Sequence, residues 1–349
     1  MNTTESTGTF AGVRAARDAF PPDLVSRTRL KLNESEELER TLLLKLENEQ
    51  TVRSYKVRGA AWKLLSLPRE LLRRGAVCAS AGNHAQGFAA CCNLLGMQGM
   101  VFVPEPTTDQ KKLATRRRGN GCVEIRVEGA YYDETAAIAQ AYAREREAAF
   151  IHPFDDWRVI EGQGTVALEI AEEMERTGRT LEAVVVPVGG GGLLAGTILT
   201  LKHTNPDAVI FGVEPEGAAC MAASVAAGEP VHLKHVDTFV DGAAVARPGD
   251  RPFSIVSDAV REGRVKLLTV PNIHVVAAMH RLLQIDGVIA EPAGALSVAA
   301  IDRIMPDLDG KGDVVSIISG GNIDFERMKE VFRLIERHRT SLQECLKPV

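Results

Sequence analysis

The sequence of 349 residues contains few cysteines, few aromatic residues and no excess of basic side chains. None of the six cysteines stands in the CxxC spacing of zinc or redox motifs, so we expect reduced thiols in a cytoplasmic protein rather than a disulfide scaffold. The formal net charge of −5 and the lack of a long basic stretch argue against a protein that binds nucleic acid. The cysteines are Cys78, Cys91, Cys92, Cys122, Cys220 and Cys345.

Long apolar segments are also missing. The uncharged stretch from Ala183 to Leu201 approaches the length of a membrane span, but Pro187 and four consecutive glycines interrupt it. We interpret it as a buried strand, a loop and a helix. The N-terminus carries Glu5 and no apolar run, so we expect neither a secretory signal nor a membrane segment. The eight histidines show no spacing typical of a metal site.

Short apolar runs alternate with helical patterns along most of the chain, which indicates an α/β fold with parallel sheets covered on both faces. Apolar spacing predicts one helix that ends at Gly96, another that ends at Gly178 and a last one around Met328. The first 20 residues are small and polar, and we expect them to be partly unstructured. The predicted strands are Ala76–Ser80, Met100–Val103, Val123–Val127, Ala183–Val188, Val209–Val213, Val265–Val270 and Val314–Ile318.

A lysine lies in the first turn of a predicted helix, within the segment SYKVRGA at residues 54–60. The positive end of the helix dipole and partial burial both disfavour an ammonium, so the pKa of Lys56 should fall. Imine formation with a carbonyl group requires a lysine of this kind. From these residues alone, an exposed helical lysine without a chemical role remains the alternative.

A polar segment, ASAGNHAQG at residues 79–87, follows a predicted strand and precedes a predicted helix. Small residues and Gly82 allow backbone amides to point into one concavity, and a helix N-terminus attracts anions. The crowding of Ser80, Asn83, His84 and Gln86 favours a carboxylate site over a simple turn in which Asn83 caps the helix.

Glycine accumulates at two further strand ends. Residues 187–193, PVGGGGL, offer four unhindered N–H groups at the start of a helix, which favours a phosphate site. The run lacks the Gly-Lys-Ser/Thr of a P-loop and the GxGxxG of a dinucleotide site. The segment SGGN begins with Ser319 at the carboxyl end of an apolar strand, where ligands bind in open α/β sheets. A capping serine before a glycine turn is the alternative there.

In this order and spacing, the four segments resemble the fold type II pyridoxal-phosphate (PLP) enzymes, and most closely their threonine/serine dehydratase (threonine ammonia-lyase) branch. SYKVRGA is similar to the family's S-F-K-x-R-G-A, and SAGNHAQG to its dehydratase signature. GQGT at residues 162–165 and EPAGA at residues 291–295 match as well, and the likeness runs from about Lys45 to Asn322. The resemblance implies a tryptophan synthase β-like α/β fold with two open, twisted, mostly parallel sheets flanked by helices.

The resemblance implies PLP as the cofactor and assigns a role to each segment. Lys56 would hold PLP as a Schiff base and move the Cα proton of the substrate. Tyr55 would line the cofactor face, Asn83 would bond its phenolic oxygen, Ser319 would bond its pyridine nitrogen, and Glu291 belongs to the same site. The backbone that would hold the phosphate consists of Gly189, Gly190, Gly191, Gly192 and Leu193.

The substrate carboxylate would be received by the loop that contains Ser80, Ala81, Asn83 and His84. The implied reaction eliminates water and then ammonia from L-threonine or L-serine, which gives 2-oxobutanoate or pyruvate. Three alternatives remain open: the same elimination on another β-hydroxy amino acid such as 3-hydroxyaspartate, a serine racemase-like activity and a non-catalytic ligand-binding protein.

The sequence departs from the related serine racemases at two sites. Ala81 stands where those enzymes carry a second serine, and alanine cannot return a proton to a carbanion, so efficient racemisation is not expected. Their divalent cation is bound through Glu, a backbone carbonyl and Asp. The matching residues here are Glu214, Ala218 and Cys220, so we expect no metal.

The resemblance also implies two domains with the cofactor between them. The large domain would combine residues 1–70 and 151–349, and the small domain, residues 71–150, would close on the substrate. We expect a homodimer or homotetramer. The chain is too short for the C-terminal regulatory domain of many biosynthetic threonine dehydratases, so feedback inhibition through such a domain is not expected.

Overall fold

The computed structural model describes residues 7–34 and 41–338, and the strands within these ranges form two sheets. The strands are β1 (Leu30–Leu32), β2 (Leu42–Leu46), β3 (Ala76–Ala79), β4 (Gly99–Val103), β5 (Val123–Val127), β6 (Ala149–Phe150), β7 (Leu181–Pro187), β8 (Val209–Pro215), β9 (Val265–Val270) and β10 (Asp313–Ile318). The larger sheet has the order β1-β2-β10-β7-β8-β9, and the smaller has the order β5-β4-β3-β6. All neighbouring strands are parallel except the antiparallel pair β1 and β2. The predicted α/β class with two mostly parallel sheets is therefore confirmed.

Helices connect the strands and cover both sheets. They are α1 (Phe10–Ala19), α2 (Lys56–Leu65), α3 (Arg69–Arg73), α4 (Asn83–Leu95), α5 (Asp109–Gly119), α6 (Tyr132–Glu145), α7 (Trp157–Thr177), α8 (Gly192–Thr204), α9 (Cys220–Ala227), α10 (Asp250–Arg261), α11 (Asn272–Gln284), α12 (Pro292–Ala295), α13 (Ile301–Ile304) and α14 (Phe325–Arg337). Gly96 and Gly178 end α4 and α7 in the left-handed conformation, as the sequence predicts.

The uninterrupted apolar strands are explained by burial on both faces. Along β7, Ala183 and Val185 belong to the core cluster that includes α11, whereas Val184 and Val186 belong to the cluster that includes α7 and α8. Alternate side chains of one strand thus pack into two different cores. Within residues 7–34 and 41–338, no helix is both long and apolar enough to cross a membrane.

The seven predicted strands are all present, with ends that differ by at most two residues. Strands β1, β2 and β6 were not predicted, because two of them have only two or three residues and the third contains the buried charge of Lys45. The expectation of partly unstructured residues 1–20 is wrong for residues 10–19, and for residues 1–6 it lies outside the described part of the chain. There the Thr9 hydroxyl caps α1, and Val13 and Ala16 are fully buried.

Glycines allow α2, α7 and α8 to approach one another closely. A Cβ at Gly162 would lie 2.7 Å from the carbonyl oxygen of Arg58 and from the Cα of Gly59. One at Gly164 would lie 2.8 Å from the carbonyl oxygen of Gly196. The GQGT motif is therefore a packing motif, which fixes α2, the helix that begins with Lys56, against α7.

Replacing Gly162 with alanine should destabilise the fold by about 1–3 kcal/mol, because the new methyl group meets backbone atoms that cannot rotate away. This cost outweighs the gain of up to ~1 kcal/mol from the better helix propensity of alanine. Gly59→Ala is the matched control and should cost less, since the atoms that its methyl group would meet belong to the side chains of Gln163 and Val159 and not to the backbone. Urea unfolding measures both, and an unchanged midpoint for Gly162→Ala would contradict the packing role.

Candidate active site

A cavity of about 370 Å³ opens where β3, β7 and β10 end, and both sheets contribute residues to its wall. All the site residues predicted from the sequence line this cavity, although they come from distant parts of the chain. They are Tyr55, Lys56, Ser80, Ala81, Asn83, His84, Gly189, Gly190, Gly191, Gly192, Leu193, Glu291 and Ser319. The cavity lies at the carboxyl ends of the parallel strands, where α/β proteins bind ligands.

Lys56 is the first residue of α2, and its side chain reaches into the cavity. Its Nζ donates a hydrogen bond of 3.0 Å to the carbonyl oxygen of Pro153 and lies 5.2 Å from the ring centre of Tyr55. Burial lowers the pKa of Lys56 to about 8, while the carboxyl group of Glu291 acts in the opposite direction. A substantial fraction of this amine is thus neutral near pH 8 and can act as nucleophile or base.

The chain before α2 is attached to the end of β10. The backbone N–H of Tyr55 donates to the carbonyl oxygen of Ser319 at 3.2 Å, and Ser54 forms a β-bridge with Gly320. The Ser54 hydroxyl accepts the backbone N–H of Lys56 at 3.2 Å. Two of the predicted motifs, SYKVRGA and SGGN, are therefore in direct contact.

A buried network of charged side chains includes Arg58 of α2. Arg58 is fully buried, and its guanidinium donates hydrogen bonds of 2.7–2.9 Å to the carboxylates of Glu47 and Glu169. Lys45 donates to Glu169 at 2.6 Å. Burial would raise the pKa of Glu169, but the charges of Arg58 and Lys45 outweigh it and hold that pKa at about 2. This network joins the β2 segment, α2 and α7. It was not predicted, and the one feature of the sequence that could have indicated it is Arg58 in the SYKVRGA motif.

The polar loop after β3 leads into α4. The helix begins at Asn83 with Gly82 as its N-cap, so Asn83 does not cap it, and the Ser80 hydroxyl accepts the backbone N–H of Gly82 at 3.2 Å. The Nε2 of His84 lies 2.9 Å from the carbonyl oxygen of Ile151. Burial, helped by the charge of Lys56, lowers the pKa of His84 to about 3, so its imidazole is neutral and its Nε2–H donates to Ile151.

Asn83, Glu291 and Ser319 form another part of the cavity wall. Asn83 donates to the Glu291 carboxyl at 2.5 Å and accepts from the side-chain amide of Asn322 at 2.8 Å. Burial raises the pKa of Glu291 to about 7, and the nearby carboxylate of Asp241 adds to the effect. The hydroxyl of Ser319 donates to the carbonyl oxygen of Ala293 at 3.1 Å.

The glycine run between β7 and α8 has no room for side chains. A Cβ at Gly190 would lie 2.4 Å from the ring of Phe154, and one at Gly191 would lie 2.4 Å from the Cε of Met221. Gly191 also adopts a φ of 88°, which favours glycine. The run therefore presents bare backbone to the cavity at the N-terminus of the 13-residue helix α8, which suits an anion such as phosphate.

Two charged residues of the cavity lining, Lys111 and Asp241, were not predicted. Lys111 near the start of α5 and Asp241 between α9 and α10 form an ion pair with a distance of 2.7 Å between Nζ and Oδ2. Lys111 belongs to a strongly charged helix that is typical of a solvated surface, so its sequence gave no signal. Asp241 precedes a glycine in an irregular segment, and only its position beside Gly242 could have drawn attention.

The donor set of the cavity fits PLP. One wall offers the amine of Lys56, which can condense with an aldehyde, and another offers the amides of the glycine run for a phosphate. The described residues contain no group of three or more His, Cys, Asp or Glu side chains that could hold a metal ion. Glu214 accepts the backbone N–H groups of Met221 and Ala222 at 2.8 Å, and so caps α9.

Comparison with curated proteins identifies close relatives. The biosynthetic L-threonine dehydratase IlvA of Lactococcus lactis is 42% identical over 310 residues, which cover 88% of this chain and 73% of that protein. IlvA of Mycobacterium bovis is 47% identical over 291 residues, which cover 83% of this chain and 66% of that protein. The chain thus spans about two thirds to three quarters of the length of these relatives.

Solved structures and a family model agree with these relatives. Threonine deaminase isoform 2 from Solanum lycopersicum superposes with a TM-score of 0.84 at 33% identity, over 95% of this chain and 96% of that one. Maize serine racemase superposes with a TM-score of 0.84 at 28% identity, over 96% of this chain and 100% of that one. The model of the family described as pyridoxal-phosphate dependent enzyme matches residues 22–320. The chain belongs to this family of pyridoxal-phosphate-dependent enzymes.

Proposed function

We propose that this chain is a PLP-dependent ammonia-lyase that eliminates water and then ammonia from L-threonine, L-serine or both. The observation that carries the proposal is a single cavity that unites Lys56, the carboxylate loop after β3 and the glycine run before α8. When bound, PLP supplies an electron sink that stabilises negative charge at the substrate Cα. Relatives named threonine dehydratase, such as that of Mycobacterium bovis at 47% identity, support the choice of substrate.

Each of the residues that line the cavity would have its own role. The amine of Lys56 would accept the Cα proton of the substrate, and its lowered pKa of about 8 suits this task. Gly189 to Leu193 would hold the cofactor phosphate, Asn83 its phenolic oxygen and Ser319 its pyridine nitrogen, while Tyr55 would line its face. Glu291 would orient the Asn83 amide through their hydrogen bond.

The loop after β3 would receive the substrate carboxylate. Ser80, Gly82 and Asn83 line the cavity at the start of α4, where an anion is favoured. His84 would contribute as a neutral side chain, since its pKa of about 3 leaves it without charge. Ala81 offers no proton donor to the cavity, which favours elimination over racemisation.

The proposal is tested with the PLP-loaded protein and three substrates: L-threonine, L-serine and threo-3-hydroxyaspartate. Release of 2-oxo acid is followed by a coupled reductase, and formation of the D-enantiomer by chiral chromatography. We expect 2-oxo acid from threonine or serine and no D-enantiomer. Cofactor binding without 2-oxo acid from threonine or serine would contradict the proposed reaction, and fast formation of a D-amino acid would contradict the argument from Ala81.

The lowered pKa of Lys56 predicts the pH dependence of cofactor uptake. Only the neutral amine attacks the aldehyde of PLP, so the rate of reconstitution of the cofactor-free protein should rise about tenfold per pH unit up to about pH 8 and then level off. Stopped-flow absorbance measures this rate. A rise that continues to pH 10 would show that Lys56 keeps the pKa of an exposed lysine.

We further propose a cytoplasmic homodimer or homotetramer in which residues 71–150 form a small domain that closes over the substrate. The separate four-stranded sheet formed by β3 to β6 supports the domain division, and the likeness to the family supports the assembly. Light scattering coupled to size-exclusion chromatography tests the assembly, and a mass of 37.7 kDa would contradict it.

A further inference from the structure

The charges around the cavity bear on the kind of substrate that can enter it. Among the residues that the structure describes, the cavity lining contains four side chains of the Lys, Arg, Asp and Glu types, namely Lys56, Lys111, Asp241 and Glu291, while His84 is neutral because of its low pKa. Lys56 is assigned to the cofactor and the Cα proton. Lys111 is therefore the one remaining cationic side chain in the described lining. The same lining contains the two carboxyl groups of Asp241 and Glu291.

Lys111 is already neutralised by its partner. Its Nζ lies 2.7 Å from the Oδ2 of Asp241, and the two side chains are about one third exposed, at 30% and 40%. The pair joins α5 to the segment between α9 and α10, 130 residues further along the chain. Because α5 connects strands of the smaller sheet while Asp241 lies between strands of the larger one, the pair spans the cavity.

We propose that the Lys111–Asp241 ion pair is a specificity determinant that discriminates against substrates with a second carboxylate. This inference rests on the proposed elimination and assigns two further residues to its site. A second carboxylate in the cavity would meet Asp241 and the Glu291 carboxyl, and it would find Lys111 already paired. A ligand charge that is left unpaired beside groups of the same sign lowers affinity, and binding sites reject wrong ligands in this way.

The pair also explains how the specificity could be changed. Without the Asp241 charge, Lys111 becomes a free cation in the cavity wall and can pair with a second substrate carboxylate. The structure therefore assigns opposite effects to the two partners: loss of the Asp241 charge admits dicarboxylates, whereas loss of the Lys111 charge excludes them further.

The test compares kcat/KM for threo-3-hydroxyaspartate with kcat/KM for L-threonine in the PLP-loaded protein. For Asp241→Asn we expect this ratio to rise at least about tenfold, mainly through a lower KM for the dicarboxylate. The double variant Asp241→Asn with Lys111→Gln should lose the rise, because no cation is left to receive the second carboxylate. Asp109→Asn is the matched control: it removes the charge of a neighbouring ion pair on α5, with Lys112 at 2.8 Å, and should leave the ratio unchanged.

Binding is measured separately from turnover by titrating the cofactor absorbance with L-aspartate and L-2-aminobutyrate, which lack the leaving hydroxyl. Asp241→Asn should strengthen aspartate binding at least about tenfold relative to aminobutyrate. An unchanged selectivity in both measurements, or a wild type that uses hydroxyaspartate as well as threonine, overturns the inference. Absence of 2-oxo acid from every substrate would instead contradict the proposed function, and the binding selectivity would still decide the role of the ion pair.

Discussion

Lys56→Ala should lower kcat for 2-oxo acid formation from L-threonine at least about 10⁴-fold, because the substitution removes both the imine-forming amine and the proposed base at Cα. It should also abolish the absorbance band of the lysine–cofactor imine, since no other lysine of the described cavity is available for it: Lys111 is held by Asp241. Steady-state kinetics and an absorbance spectrum of the purified variant measure the two effects.

The matched control for this variant is Lys63→Ala on the same helix. Lys63 pairs with Asp156 at 2.5 Å and does not line the cavity, so its loss should leave both the imine band and kcat within a few-fold of the wild type. Far-UV circular dichroism of the two variants separates loss of chemistry from loss of fold. A Lys56→Ala protein that keeps the band and a tenth of the activity would contradict the role of Lys56.

Arg58→Met should lower the free energy of unfolding by about 3–5 kcal/mol, because it leaves a buried carboxylate without its cation. Glu47 and Glu169 then share only Lys45, whereas in the wild type two carboxylates face two cations. Since Arg58 lies two residues after Lys56 in α2, we also expect weaker PLP binding. Urea unfolding of the cofactor-free protein measures the first effect, and fluorescence titration with PLP measures the second.

Arg74→Ala provides the comparison for an exposed ion pair. Arg74 pairs with Glu147, and their side chains are 51% and 72% exposed, so the loss should cost at most about 1 kcal/mol. Equal destabilisation by the two variants would show that the buried network does not stabilise the fold more than a surface pair does. A stable Arg58→Met protein would show that the apolar packing and glycine contacts of α2 suffice without the buried charges.

Much of the fold was predictable because strands that are buried on both faces have a simple sequence pattern. The strands of the larger sheet that pack into two cores, such as β7 and β8, read as uninterrupted apolar runs. Short edge strands such as β1 show no such pattern, since three residues are too few to reveal a periodicity of apolar positions. The N-terminal helix α1 was missed because its buried face consists of Gly12, Val13 and Ala16, which are too small to stand out in a polar context.

The glycine run of the candidate site was predictable, because exposed backbone requires glycines that are visible in the sequence. Pairs of side chains from distant parts of the chain were not predictable. Gly190 and Gly191 could be recognised because four glycines in a row have no simple packing explanation, and the structure shows that their close neighbours exclude any Cβ. The pair of Lys111 and Asp241 could not be predicted, because its two charges are 130 residues apart and only the tertiary fold brings them together. The same holds for Arg58 and Glu169, whose pairing depends on the crossing of α2 and α7.

The most direct test of the account is to incubate the PLP-loaded protein with L-threonine and to quantify 2-oxobutanoate and ammonia together. The account predicts that both products appear in equal amounts, that the reaction is catalytic in protein and that Lys56→Ala forms neither. Cofactor bound to Lys56 without formation of either product from L-threonine or L-serine would contradict it.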